Sequence, residues 1–171
     1  MLVLRNTAMV EQVEMNDRIT GFVLKQSDYR EADVILSVLT KEYGKLSFVA
    51  QGVRKMTSKN AGSIMPYTKT EILFDYNETK TIFRPKNARC KDYYRSMHED
   101  IIASSAAAVA AELIDVLTLQ ASSDMTNSDE YAFLDIVFSK LDQGYDPTLV
   151  LSLLFVDMLD LAGLLPDVDA C

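Results

Sequence analysis

The chain has 171 residues, of which 49% are hydrophobic and 25% charged, with two cysteines and a formal charge of −8. These values describe an ordinary globular chain and exclude a fibrous or disordered one; at this length one large or two small domains can bury a core without disulfide staples. No apolar run reaches the roughly 20 residues that a bilayer requires. Leu149 to Val156 is cut short by Asp157, and Met1 to Leu4 ends at Arg5 before it reaches the length of a secretory segment. Cys90 and Cys171 are too far apart for a C-x-x-C clip, and the expected setting is a reducing cytoplasm.

Charge is unevenly placed. Residues 1–95 hold 16 of the 17 Lys and Arg against 11 of the 25 Asp and Glu, a balance of +5, whereas residues 96–171 hold Lys140 alone against 14 acids, a balance of −13. Halves this different point to different partners, although a merely solvated acidic surface has the same signature.

The first half reads as short strands, because apolar residues recur at period two or in brief β-branched runs bounded by polar clusters. The pattern predicts strands near Arg18–Lys25, Asp33–Thr40, Lys45–Ala50, Lys69–Tyr76 and Thr79–Arg84. In the fourth, Thr70, Ile72, Phe74 and Tyr76 share one face and Glu71 and Asp75 the other, with Leu73 as the exception. Glu42-Tyr43-Gly44-Lys45 reads as the turn between the second and third strands, and Tyr76-Asn77-Glu78-Thr79 as a hairpin into the fifth. Between the third and fourth strands runs a basic excursion, Gln51 to Met65, bracketed by Gly52 and Gly62. Five strands with one long connection match a Greek-key barrel of the OB type, a pattern shared with other small barrels.

From Asp92 onward the period becomes helical. Tyr94, Met97, Ile101 and Ile102 follow the 3, 4 spacing, the small residues Ala103 to Ala111 allow close helix approach, and Leu113, Ile114 and Leu117 resume the stripe, in one long helix or two abutting ones. The next helix is punctuated by Asn127 as N-cap, Glu130 at the capping-box position and Gly144 at its end, with Tyr131, Leu134, Val137, Phe138 and Leu141 facing inward. A third starts with Asp146 as N-cap and Pro147 at the first helical position, runs through Leu149 to Leu161, and stops at Gly163 before Pro166. The domain boundary is expected in Pro85–Lys91, giving a barrel over 1–85 and a helical domain over 92–171.

Enzymatic chemistry finds little support. His98 is the sole histidine, and no H-E-x-x-H, G-x-S-x-G or Walker pattern occurs. The pairs Asp157/Asp160 and Glu112/Asp115 lie three apart on helical faces, which suits a divalent ion but more commonly marks a solvated surface. A metal-dependent hydrolase would need histidine or cysteine support that these pairs lack. Nucleic-acid binding is better supported. Lys41, Lys45, Arg54, Lys55 and Lys59 fall within nineteen residues that contain one acid, Glu42, and Lys80, Arg84, Lys86, Arg89, Lys91 and Arg95 form a second group facing only Asp92. Tyr29, Tyr43 and Tyr67 are interleaved with them as base-stacking candidates, since single-strand binding needs cations for phosphates and rings for bases.

The ordered set Gly21-Phe22-Val23-Leu24, Tyr29-Arg30-Glu31-Ala32-Asp33, Thr40 to Ser47, Ala50 to Lys55, Met65-Pro66-Tyr67-Thr68, Ala111-Glu112-Leu113 and Gly163-Leu164-Leu165-Pro166-Asp167 through Cys171 resembles the RecO family of bacterial recombination mediators. That resemblance implies an OB barrel, a helical domain and, often, a four-cysteine zinc module. It further implies binding of single- and double-stranded DNA, strand annealing, and recombinase loading together with RecR and single-strand binding protein. Arg30, Arg54 and Lys55 carry over as phosphate contacts; Lys41, Lys45 and Lys59 rest on charge and loop position, and Arg84, Lys86 and Arg89 on the second basic group. Gln51 stands where the family has a lysine. Cys171 matches the first zinc ligand only, so no cofactor is expected in this chain, which reads as truncated at the start of that module; residues 1–17 precede the usual family start. The expectation is thus an α+β protein, a five-stranded OB-type Greek-key barrel followed by a helical bundle, that handles DNA without catalysis. A protein-interaction adaptor whose barrel binds no DNA is the alternative.

Overall fold

The computed structural model describes residues 16–54, 61–119 and 127–161. Strands β1 (Asn16–Asp28), β2 (Val34–Thr40), β3 (Gly44–Ala50), β4 (Lys69–Asp75), β5 (Ile82–Phe83) and β6 (Asn87–Asp92) precede helices α1 (Ser96–Glu99), α2 (Ile101–Leu119), α3 (Asn127–Asp142) and α4 (Pro147–Leu161). The sheet order is β5-β3-β2-β1-β4-β6. Its two edge strands are consecutive in the chain. Five inter-strand steps of about 4.8 Å would part the edges of a flat sheet by roughly 24 Å, yet the backbone from Phe83 to Asn87 reaches about 14 Å at most. The sheet is therefore curled into a barrel, with the alternation expected of an OB-type fold.

The expected fifth strand differs in an instructive way. The Asn77 turn forms, with the amides of Thr79 and Lys80 bonded to the Asn77 side chain and carbonyl at 2.9 and 3.0 Å. The strand it delivers does not fold back on β4, however; Ile82–Phe83 pairs parallel with Ser47–Phe48 of β3. Pro85 has no N–H to continue a ladder. Beyond it the chain changes neighbour: the Lys86 amide bonds Leu73 O at 2.7 Å and β6 runs antiparallel to β4. The segment 85–91, expected as a linker, is thus mostly barrel strand, and the barrel extends to Asp92.

β1 serves two ladders, with β4 over Asn16–Phe22 and β2 over Gly21–Asp28. Gly21 lies in both; a Cβ there would sit 2.5 Å from Val38 Cγ1 and 2.7 Å from Leu39 O. The run Gly21-Phe22-Val23-Leu24 is continuously apolar because both faces are buried. Val23 points into the barrel with Leu36, Phe48, Ile72 and Phe74, while Phe22 and Leu24 point outward into a second core shared with the helices. Val53 and Ile64, near the two ends of the basic excursion, are buried in the barrel core. In the outer core Phe22 packs on Tyr131 and Phe138 at 4.8 and 5.5 Å between ring centres.

Helix punctuation follows the chemistry. The Asp100 carboxylate accepts the amides of Ile102 and Ala103 at 2.7 and 3.1 Å, so Asp100 ends α1 and caps α2. That break resets the helical phase: Met97 stays buried, whereas Ile101 and Ile102, expected on the same stripe, are 76% and 60% exposed. Asp146 caps α4 through Leu149 N at 2.9 Å, and Gly144 at φ 81° closes α3 with the Gly144→Leu141 and Tyr145→Lys140 backbone bonds of a Schellman end. The inward face of α3 is as expected at Leu134, Val137, Phe138 and Leu141. No helix among the described residues is long and apolar enough to cross a membrane.

Candidate nucleic-acid interface

Two of the sequence motifs are joined in space. The amides of Tyr29 and Arg30 both donate to Asp33 O, at 3.0 and 3.4 Å, closing the β1–β2 turn. The Asp33 carboxylate then accepts Gly52 N at 2.9 Å, and Arg54 N donates to Ala32 O at 3.2 Å. Gly52 adopts φ 66°, the left-handed region that glycine enters without penalty. The Arg54 guanidinium meets Asp28 at 3.0 Å. The Tyr-Arg-Glu turn and the start of the basic loop are consequently one platform, with Asp33 as the strut that residue typing overlooked; its place inside the motif was the available signal.

Beside this platform lies a cleft of about 230 Å³ lined by Tyr29, Arg30, Asp33, Val49, Gln51, Ile82, Phe83 and Arg84. Arg84 also borders two neighbouring clefts, one reaching Lys80 and Asp75 and one reaching Ala50 and Pro85. Tyr29 and Ile82 are each 48% exposed at its rim, and the Arg30 guanidinium stands 5.1 Å from the centre of the Tyr29 ring. Among the described residues Arg30, Lys41, Lys80, Arg84 and Arg89 form no ion pair. An exposed groove with two guanidiniums free of ion pairs among the described residues, a ring and an amide can neutralise phosphates and stack or read a base.

The other expected site residues are placed elsewhere. Lys45 is 19% exposed and reaches across to α2, donating to both the carboxylate and the carbonyl of Asp115 at 3.0 Å, while Ser37 Oγ donates to the same carboxylate at 3.2 Å. Lys86 pairs with Asp75 at 2.7 Å. Lys41 is exposed in the β2–β3 turn, and Arg89 lies on β6 opposite Glu71 of β4. There the Lys91 ammonium, bonded to Glu71 at 3.0 Å, holds that carboxyl below the usual carboxylate range. Lys55 and Lys59 lie outside the described residues. Of the three rings, Tyr29 alone sits on the cleft. Tyr43 packs on Tyr76 at 4.4 Å between ring centres as part of the barrel rim, and Tyr67, at φ 64°, packs edge-on to Phe138 in the shared core, where burial raises its phenol pKa.

The acidic pairs have plain roles. Glu112 stands 4.0 Å from Lys25 and Asp115 holds Lys45, so α2 presents carboxylates to barrel lysines; Asp157 and Asp160 are exposed. Lys69 completes the set at 2.9 Å from Asp135, beside Tyr131, whose phenol burial pushes up to about 12. No group of three or more His, Cys, Asp or Glu among the described residues is placed to hold a metal ion. His98 stacks on Tyr93 at 4.3 Å between ring centres, away from the cleft.

An OB-type barrel with a cationic cleft at its rim and an acidic helical domain docked on its outer face defines the class. Two family profiles match the chain in tandem, Recombination protein O N terminal over residues 15–94 and Recombination protein O C terminal over residues 98–171. The chain belongs to the recombination protein O family. It is 28% identical to the DNA repair protein RecO of Listeria welshimeri over 91% of this chain and 59% of that protein. The corresponding figures are 32%, 90% and 54% for the DNA repair protein RecO of Heliobacterium modesticaldum, and 30%, 88% and 57% for that of Shouchella clausii. The chain thus spans between half and three-fifths of the length of these curated relatives.

Proposed function

We propose that this chain acts in DNA repair as a recombination mediator: its barrel binds single- and double-stranded DNA and promotes annealing of complementary strands, and it works with RecR and single-strand binding protein in loading recombinase. The observation that carries the reading is the cleft where Arg30, Arg84, Tyr29 and Gln51 converge, in a chain whose relatives are DNA repair proteins. Barrel loops and strand faces are where OB folds take nucleic acid. The work is binding rather than bond-breaking, in a reducing cytoplasm near the nucleoid. Protein partners fall to the helical domain, where α2 and α4 form an apolar groove of about 360 Å³ lined by Ile102, Val109, Leu151 and Phe155.

The test is anisotropy of a labelled oligonucleotide titrated with the chain at several salt concentrations. Affinity should fall linearly in log salt. Arg84→Ala should weaken binding and reduce that slope by about one. Absence of binding by the folded chain at low salt would refute the reading, and the adaptor alternative would then be tested by pull-down with RecR.

A further inference from the structure

Single-stranded and duplex DNA offer the same phosphates but differ in one respect that this cleft can register. An unpaired base has an open face, whereas bases inside a duplex are stacked on both sides. Tyr29 is the exposed ring on the cleft, and it is held for use. Its turn is closed on Asp33 O, and Asp33 is fastened to Gly52 N at 2.9 Å. The Arg30 guanidinium, 5.1 Å from the ring centre, braces the ring from one face while 48% of Tyr29 stays exposed. A base arriving at this rim meets a ring backed on one face by Arg30, and Arg30 and Arg84 line the same cleft for the flanking phosphates. Ordering costs that usually accompany an exposed side chain are reduced accordingly.

Resting on the DNA-binding reading above, we infer that Tyr29 is the residue by which the cleft prefers single-stranded over duplex DNA, with Arg30 and Arg84 serving both forms alike. Stacking on one aromatic ring is worth about a tenfold change in affinity, and a duplex gains none of it.

The experiment compares wild type with Tyr29→Ala, Tyr29→Phe and Arg84→Ala, on one fluorescent oligonucleotide and its duplex. Circular dichroism confirms that each variant is folded, and a 2-aminopurine base in the single strand reports stacking. Tyr29→Ala should lower single-strand affinity about tenfold, abolish the 2-aminopurine quenching, and leave duplex affinity and salt slope unchanged. Tyr29→Phe should behave as wild type. Arg84→Ala should weaken both forms. If Tyr29→Ala weakens both forms equally, or neither, while Arg84→Ala weakens both, the inference falls and the DNA-binding reading stands. If wild type binds neither form, both fall together.

Discussion

Lys45 is where the sequence and the structure make opposite claims, and it can be tested directly. Its position in a basic, acid-poor stretch marks it as a phosphate contact, yet its ammonium is bonded twice to Asp115 at 3.0 Å and is 19% exposed. At that separation, with an effective dielectric of about 20, the gross attraction is about 5 kcal/mol. Most of it is spent on removing both charges from water. An exposed pair nets roughly 0–1 kcal/mol, whereas breaking a fully buried pair costs roughly 3–5 kcal/mol; with one-fifth of each side chain exposed, about 2 kcal/mol lies between these limits. Lys45→Met retains the aliphatic stem and removes the charge. The expected result is a stability loss of about 2 kcal/mol, or about 1 M in urea midpoint at a slope of roughly 2 kcal/mol/M. Coupling to Asp115→Asn in a double-mutant cycle should recover most of it. DNA affinity and its salt slope should be unchanged in the folded variant. Unchanged stability combined with a shallower salt slope would refute the assignment of Lys45 to the domain contact.

Three further outcomes follow from packing and burial. Gly21→Ala places a methyl 2.5 Å from Val38 Cγ1 and 2.7 Å from Leu39 O; because one of these is backbone, the cost should exceed about 2 kcal/mol, read as a lowered thermal midpoint. Phe138→Ala empties the centre of the core shared by barrel and helices, where Phe22, Tyr67 and Tyr94 all meet its ring, and should cost roughly 3–5 kcal/mol; equal urea midpoints for variant and wild type would show that this core does not hold the two parts together. Burial holds the His98 imidazole below its ordinary pKa, and its Nε2 has no hydrogen-bond partner among the described residues. A depressed folded pKa means that the unfolded chain takes the proton more readily, so the stability His98 contributes is present above about pH 6.5 and lost as pH falls through the folded value. His98→Gln should flatten the wild-type decline in urea midpoint between about pH 7 and pH 5; a parallel decline in both proteins would remove His98 as its source.

Strand and helix identities were legible because each lies in local chemistry. The alternation at Thr70, Ile72 and Phe74, the turn glycine at Gly44, the caps at Asp146 and Gly144 and the inward face of α3 depend on neighbours within a few residues. The misreadings share a cause, which is dependence on a distant partner. Ile82–Phe83 has the composition of a hairpin strand, and nothing nearby reveals that its ladder is made with β3 rather than β4. Asn87–Asp92 is too polar to suggest a strand; one face is wet, and its pairing is supplied by β4. Ile101 and Ile102 kept the spacing of a helical stripe, but Asp100 turned the phase. For the site, residue typing gave the right class of side chain and the wrong sorting. Lysine count cannot distinguish Arg84, which forms no ion pair among the described residues, from Lys45 or Lys86, which are paired with a carboxylate from another element.

That sorting gives the charge segregation a structural meaning. The acidic half is not simply a solvated surface turned away from the barrel. Its carboxylates Glu112, Asp115 and Asp135 face Lys25, Lys45 and Lys69 across the contact between the two parts. The lysines they hold come from β1, β3 and β4, all on the side where Phe22, Leu24 and Leu39 enter the shared core. Arg30 on the β1–β2 turn and Lys80 and Arg84 around β5 form no ion pair among the described residues. A chain with a net charge of −8 can thus present a local cationic cleft, because its surplus acid is concentrated in the helices. Phosphate binding responds to the charges within about a Debye length, roughly 8–10 Å at ordinary salt, more than to the formal total.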